Sequence, residues 1–449
     1  MKIRFVTLGC KLNFAESSAI GKALLQRGHI RAKQGEEADI CVINTCSVTD
    51  NADHKDRQII HRIHRQNPNA IIIVTGCYAQ LQPEQIAQIE GVDYVLGQNE
   101  KYEITQLVDK IERLRDSLED ASLQDAASGY SLEAQKIRVA NIREVDEFHG
   151  AYSKDDRTRC FLKVQDGCNY FCTYCTIPYA RGKSRNPAIS DIIKDAQEAI
   201  SQGAKEIILT GVNIGDFGRS TGEAFIDLLK ALDSLEDGVP PTERPTGYSL
   251  EARDYRIRIS SCEPNLLTDE IIDFVAQSKH FAPHFHIPLQ SGSNEVLSIM
   301  KRRYTRELFE ERVQHIKQVM PHAFIGVDCM VGVRGETEEC FNDYVDFIKR
   351  LDVSQLHVFT YSERANTRML ELDVCIVPKA ERQRRSKILH EISEEKTRTF
   401  YANQTGREAI VLWESKKEGD QMAGFTENYV KVYRPYDKAK VNTFEVIRL

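Results

Sequence analysis

Long hydrophobic runs are missing from this 449-residue chain. No stretch approaches the roughly 18 uncharged apolar residues that a membrane-spanning helix needs, so a soluble globular protein is expected. A secretory leader is not expected either. The apolar part of "MKIRFVTLGC" is too short for an h-region and no cleavage site follows. The expected compartment is therefore the cytosol. Tryptophan occurs once, at Trp413, where packing in a small C-terminal domain is the expected role. No internal repeat or low-complexity tract stands out. Positive charge is not in excess: the net charge of −7 excludes wholesale electrostatic coating of nucleic acid but leaves room for a local basic groove.

The most informative absence lies in "CNYFCTYC", residues 168–175, where three cysteines have no fourth nearby. Twelve cysteines in a reducing compartment read as ligands, catalysts or buried small hydrophobes, not as a disulfide framework. A zinc site needs a second pair, and no second Cys-x2-Cys exists. His280 and His284 in "HFAPHFH" lie too far downstream for a finger, and His286 opens a strand-like run, so local structure is expected there. An iron–sulfur cube fits better. Thiolates hold such clusters, and three ligands leave one iron open for substrate or cofactor, as an open position does in catalytic zinc sites.

Around this loop the chain divides by pattern. Residues 1–112 alternate β-type runs ("IRFVTLG", "ADICVINTC", "AIIIVTGC") with helical patterns, which predicts a parallel α/β domain. Each run ends at a cysteine: Cys10, Cys46 and Cys77. Sites in open α/β sheets form beyond strand carboxyl ends, so the three can converge. Residues 113–155 read as a helix tail and linker. A second βα series over 156–385 has six strand candidates, which predicts a partial or full α/β barrel with its chemistry at strand carboxyl ends. Residues 386–449 read as a connecting helix and a small β-barrel.

Cys168, Cys172 and Cys175, with Tyr174 before the last, resemble the radical S-adenosylmethionine signature. The resemblance implies a 4Fe-4S cluster whose open iron binds S-adenosylmethionine and whose electron cleaves it to a 5′-deoxyadenosyl radical. The whole chain resembles the methylthiotransferases. "TLGCKLNFAES", "INTCSVTDNAD" and "VTGCYAQ" are similar to that family's N-terminal domain, "HIPLQSGSNEVLSIMKRRYT" and "VGVRGETEE" to its core, and the C-terminal segment to its RNA-binding TRAM barrel. One departure is "VRGET" (Val333 to Thr337) where the family commonly has "FPGET".

This resemblance implies that Cys10, Cys46 and Cys77 hold an auxiliary 4Fe-4S cluster carrying the sulfur that replaces C–H by C–SCH3. It implies S-adenosylmethionine contacts from Tyr174, Thr210, Gly211, Asn213, Ser261, Glu263, Gln290 and Ser291. A Gly-lined strand end lets backbone approach a ligand closely, which supports Gly211. "TLGCKLN" and "CTIPYARGKSRN" are similar to the branch acting at C2 of N6-threonylcarbamoyladenosine at tRNA position 37. The alternatives are the isopentenyladenosine branch, the ribosomal-protein aspartate branch, and a non-catalytic zinc-dependent RNA-binding protein. An anticodon loop suits such chemistry because its bases splay out without melting a duplex.

Arg181, Lys183 and Arg185 are candidates for holding phosphates or the threonyl carboxylate, with "KRRY" at 301–304 a second basic candidate. A one-electron donor protein such as a flavodoxin or ferredoxin is implied, and a monomer is expected. Cys41, Cys160, Cys262, Cys329, Cys340 and Cys375 join neither trio and read as structural; His61 and His64 read as solvated.

Overall fold

The computed structural model describes residues 1–33, 35–47, 49–120, 136–153, 158–235 and 255–449. They form two compact units: Met1–Glu147 with Thr176–Lys183, and Phe148–Cys175 with Ser184–Leu449.

The first unit is built on six parallel strands: β1 (Lys2–Thr7), β2 (Ile30–Arg31), β3 (Ile40–Thr45), β4 (Ile71–Gly76), β5 (Tyr94–Leu96) and β6 (Ile137–Arg138). Their spatial order is β2-β1-β3-β4-β5-β6. β3 is buried at every position, as expected of a central strand covered by helices on both faces. The helix Asp50–Gln66 shows how the crossovers are punctuated. The Thr49 side chain accepts the N–H of Ala52 at its start, a standard cap, and Asn67–Pro68 ends it.

Two segments differ from the sequence expectation. The linker expected over 113–155 is part structure: the helix Ile104–Asp120 runs into it, and β6 pairs in parallel with β5. Residues 121–135 of that linker lie outside the described residues. The segment Thr176–Lys183, expected in the core, packs within the first unit.

The second unit holds six parallel strands: β7 (Arg159–Lys163), β8 (Glu206–Thr210), β9 (Arg256–Ile259), β10 (His284–Gln290), β11 (Phe324–Val331) and β12 (Gln355–Thr360). They form two three-stranded sheets, β7-β8-β9 and β10-β11-β12. Parallel bridges at Ile257–Phe281 and Ser261–His286 join them, giving the partial α/β barrel that the six βα units predict. In the departing turn, Glu336 accepts the N–H of Gly332 (3.0 Å) and pairs with Arg385 (2.7 Å), so the turn is anchored by its glutamate.

The C-terminal strands β13 (Glu408–Glu418), β14 (Gln421–Thr426), β15 (Lys431–Pro435) and β16 (Phe444–Arg448) make a curled antiparallel sheet in the order β15-β14-β13-β16. β14 was not expected from "QMAGFT". Gly424 is required there because a Cβ would lie 2.7 Å from the ring of Trp413, and Trp413 packs the small core as expected. This sheet docks on the opening residues of the core strands. Arg159, Glu206 and Arg256 are in register at the starts of β7, β8 and β9. Buried Glu206 binds Arg256 (2.5 Å) and Arg258 (3.1 Å), and Arg256 donates to the carbonyls of Ile410 (3.1 Å) and Phe425 (3.0 Å). The strand carboxyl ends are thereby left to the cysteine loop.

Candidate functional site: two cysteine centres

In the second unit, β7 leads into the turn before Cys168, and one fully buried amide fixes that turn. Gln165 donates to the carbonyls of Asp166 (2.9 Å) and Gly167 (2.8 Å) and to Ser184 Oγ (3.1 Å). Its oxygen accepts the N–H groups of Val212 and Asn213, both at 2.9 Å, which ties the loop to the end of β8. Asp166 accepts the N–H of Gly167 and pairs with Lys163 (2.9 Å) and Arg185 (3.3 Å). Phe171 sits at φ 51°, a left-handed conformation that costs a bulky residue. Thr173 then pins the loop by its N–H to Met300 O (3.1 Å) and its hydroxyl to Ile299 O (2.9 Å).

Arg302 and Arg303 brace the loop, and the sequence did not single them out individually. Buried Arg302 places Nη1 3.1 Å from Cys172 Sγ and 3.4 Å from the Tyr174 hydroxyl, pairs with Glu263, and donates to the Tyr304 hydroxyl (3.1 Å). Arg303 lies 4.0 Å over the Tyr170 ring. The "KRRY" stretch is thus turned inward at Arg302. Burial pushes the Cys168 thiol up to about 12 and raises that of Cys172, where Arg302 pulls the other way. Free thiolates are disfavoured here, and a bound cation would offset that cost; the three-thiol donor set suits iron.

The residues expected around S-adenosylmethionine gather at the ends of β8, β9 and β10. The Thr210 hydroxyl is spent on Ile208 O (3.0 Å). Gly211 has no room for a side chain, since a Cβ would meet Ile214 Cγ2 at 2.7 Å and Gln165 Oε1 at 2.9 Å. Asn213 is buried beside Tyr170, and neither of its amide atoms makes a well-formed hydrogen bond among the described residues. Burial outweighs Arg302 at Glu263 and lifts its carboxyl above the usual range. Gln290 takes φ 65° at a register shift in β10, and Ser291 is buried.

Ser261 Oγ lies 3.2 Å from His286 Nδ1, and His286 Nε2 lies 2.7 Å from Asp328. His357 approaches the same carboxylate at 3.5 Å. Burial raises Asp328, but the hydrogen bonds from both imidazoles prevail and hold it below the usual carboxylate range. His280 stacks on Tyr255 and His284 on Phe324, so these two histidines of "HFAPHFH" are local packing, while His286, Asp328 and His357 form a group able to hold a metal ion.

In the first unit, Cys10, Cys46 and Cys77 follow β1, β3 and β4. Their turns interlock without space to spare. A Cβ on Gly9 (φ 91°) would lie 2.8 Å from Cys46 Sγ, and one on Gly76 (φ 101°) 2.4 Å from Thr45 O. Asn13, fully buried, joins two of the turns by donating to Leu8 O (2.8 Å) and Thr45 O (2.9 Å). Asp56 accepts the N–H of Cys46 (2.8 Å). Three thiols held by a cradle of glycines fit a cluster with three protein ligands.

Arg181 and Arg185 take different parts from those expected. Arg181 is 1% exposed, paired with Glu16 (3.1 Å) and bonded to Asn13 (2.7 Å), while Arg185 is committed to Asp166. Both are buried structural ion pairs. Of the three, Lys183 alone is exposed, 3.6 Å from an exposed Asp146. Of the cysteines set aside, Cys41, Cys160, Cys262, Cys329 and Cys340 are buried and Cys375 is exposed.

Residues 2–97 match the uncharacterized protein family UPF0004, and residues 162–348 the radical SAM superfamily. The chain is 37% identical over 436 residues to a threonylcarbamoyladenosine tRNA methylthiotransferase of Bacillus subtilis, spanning 96% of this chain and 89% of that one. The chain belongs to this methylthiotransferase family. A tRNA-2-methylthio-N6-dimethylallyladenosine synthase of Pelotomaculum thermopropionicum is 30% identical over 436 residues, covering 94% of this chain and 88% of that one. The fold is that of a cobalamin- and 4Fe-4S-bound radical S-adenosylmethionine methyltransferase from Kitasatospora setae, at a TM-score of 0.56 and 16% identity over 80% of this chain and 74% of that one. Among the described residues no helix is long and apolar enough to cross a membrane.

Proposed function

We propose that this enzyme methylthiolates C2 of N6-threonylcarbamoyladenosine at position 37 of tRNA, with Cys168, Cys172 and Cys175 holding one 4Fe-4S cluster and Cys10, Cys46 and Cys77 a second. The observation that carries it is the presence, in one chain, of a three-cysteine loop at the first barrel strand and a three-cysteine cradle at the ends of the N-terminal sheet. When bound, the first cluster and S-adenosylmethionine supply reductive cleavage and a carbon-centred radical, and the second supplies sulfur.

The protein's own residues do the rest. Gln165 and Asp166 hold the core loop in register with the end of β8. Gly211 lets Ile214 and Gln165 pack against the end of β8, and the amide of Asn213, beside Tyr170, is the donor–acceptor pair we assign to S-adenosylmethionine. Tyr174, Thr210, Ser261, Glu263, Gln290 and Ser291 complete its surroundings, with Arg302 holding Glu263 in place. Lys183 is our candidate for contact with the anticodon loop.

The reading extends to a cytoplasmic monomer fed by a flavodoxin- or ferredoxin-like donor. Nucleoside mass spectrometry of bulk tRNA from cells with and without the gene tests it. Loss of the methylthio form of threonylcarbamoyladenosine, with its parent accumulating, is expected. Loss of the methylthio isopentenyl nucleoside instead would assign the dimethylallyl branch, and an unchanged tRNA profile would overturn the tRNA reading.

A further inference from the structure

The N-terminal cradle sits against a buried charge cluster that its three cysteines do not explain. Glu16 is fully buried in the helix Lys11–Gln26 and binds two cations at once, Lys101 at 2.6 Å and Arg181 at 3.1 Å, each 1% exposed. Burying two cations on one carboxylate is costly unless further negative charge lies close. Each cation also reaches a cysteine through one side-chain amide. Lys101 donates to Gln98 Oε1 (2.5 Å), and Gln98 Nε2 donates to Cys77 Sγ at 3.1 Å. Arg181 donates to Asn13 Oδ1 (2.7 Å), which lies 3.9 Å from Cys10 Sγ. The routes differ at the sulfur: Gln98 offers an N–H to Cys77, whereas Asn13 turns its carbonyl oxygen toward Cys10 and spends its NH2 on Leu8 O and Thr45 O. On the far side, Asp56 and Asp53 lie by Cys46, so the cations are gathered on the Cys10 and Cys77 side.

We propose that Arg181 and Lys101 are positioning residues of the auxiliary cluster, a buried pair of counter-charges balanced on Glu16 that sets its reduction potential by their proximity, with Gln98 relaying Lys101 to Cys77 through its N–H···S bond. The inference rests on the assignment of Cys10, Cys46 and Cys77 as ligands. Reduction adds an electron to a thiolate-rich group. Neighbouring cations and N–H···S bonds therefore favour the reduced state, and a neighbouring carboxylate opposes it. Glu16 thus acts against the very residues it positions. Arg181 follows Cys175 by six places in the sequence, so the chain that leaves the radical loop delivers this charge to the N-terminal unit.

The test uses the full-length chain, reconstituted with iron and sulfide, with Cys168, Cys172 and Cys175 changed to alanine so that one cluster remains. Its midpoint potential is followed by EPR. R181M and K101M should shift it to more negative values, E16Q to more positive ones, and R181K should return it close to the parent. Q98L, which keeps every charge and removes one N–H···S bond, should give a smaller negative shift. A merely structural role cannot produce opposite signs for the two partners of one ion pair. Shifts of the same sign in R181M and E16Q, or a potential unmoved in R181M, would overturn the proposal. Should R181M fail to retain iron, R181K and Q98L decide: a parent-like potential in R181K with a negative shift in Q98L upholds it, and an unmoved Q98L overturns it. Changing Cys10, Cys46 and Cys77 to alanine in the otherwise native chain separates the underlying reading. If iron content does not fall, the ligand assignment fails and this proposal with it; if iron falls but R181M leaves the potential unmoved, only the charge role is lost.

Discussion

The two cysteine centres are built on opposite plans around the same device. Cys168, Cys172 and Cys175 come from one short loop, and its shape is local: a left-handed Phe171, a turn fixed by Asp166, and a pinned Thr173. Cys10, Cys46 and Cys77 come from the ends of three neighbouring strands, so the sheet order brings them together. Yet each centre is held by a single fully buried amide, Gln165 in one and Asn13 in the other. Each amide ties one strand end to the next. The difference shows where each site is vulnerable. The loop depends on its immediate braces, whereas the cradle depends on strand register, since a slip of one residue would turn each cysteine to the other face.

The largest effect separates the two centres by chemistry. Changing Cys168, Cys172 and Cys175 to alanine should abolish both 5′-deoxyadenosine formation and methylthio product. Changing Cys10, Cys46 and Cys77 should abolish the product and leave S-adenosylmethionine cleavage, both read by mass spectrometry of one reaction mixture. Sulfur insertion surviving the second change would refute the assignment of the cradle.

Next comes the local brace. Arg302→Met leaves Glu263 buried without its partner, and removing one member of a buried pair costs roughly 3–5 kcal/mol. The loss should appear as a lowered unfolding midpoint for the second unit and as loss of iron from the core loop alone. Equal loss of iron from both centres would show that the brace is not local. The matching change in the cradle is Gly76→Ala. Its φ of 101° and a Cβ 2.4 Å from Thr45 O impose strain of roughly 1–3 kcal/mol before any clash is relieved. Iron should be lost from the cradle while S-adenosylmethionine cleavage persists. An intact iron content in G76A would mean that the strand ends tolerate more movement than their contacts allow.

This contrast also explains what the sequence made legible. The core loop is readable because its spacing is local, and the three strand-end cysteines because each closes a run of β-type residues. The strand Gln421–Thr426 was hidden because Gly424 has no strand preference, and only its contact with Trp413 explains it. Arg181 and Arg185 read as a basic surface in "ARGKSRN" because burial depends on partners elsewhere: Glu16 is distant in the chain, and Asp166 precedes the loop. A signal was nonetheless present. Asn13, Glu16 and Ser17 share one helical face directly after Cys10, and a polar stripe at helical spacing beside a sheet-end cysteine marks a face turned inward. The register of Arg159, Glu206 and Arg256, which docks the C-terminal sheet, had no counterpart in the pattern. Alternating arginines in "RIRIS" look like an ordinary half-exposed strand until the second sheet covers them.

The smallest expected effect on stability isolates the one basic residue of "ARGKSRN" that remains at the surface. Lys183 and Asp146 are both largely exposed, and a pair of this kind contributes roughly 0–1 kcal/mol. Lys183→Ala should therefore leave the unfolding midpoint within about 0.5 kcal/mol of the parent. If Lys183 meets the backbone of the anticodon loop, its loss removes one phosphate contact. Binding of tRNA should then weaken, and the slope of log affinity against log salt should fall by about one. S-adenosylmethionine cleavage without tRNA should not change. An unchanged salt slope would place the RNA contact elsewhere and leave the segment Thr176–Lys183 with the buried Arg181 as its main contribution. A slope change accompanied by lost iron would instead mean that the surface lysine and the buried arginine act as one unit, and the separation between a contact residue and a positioning residue would collapse.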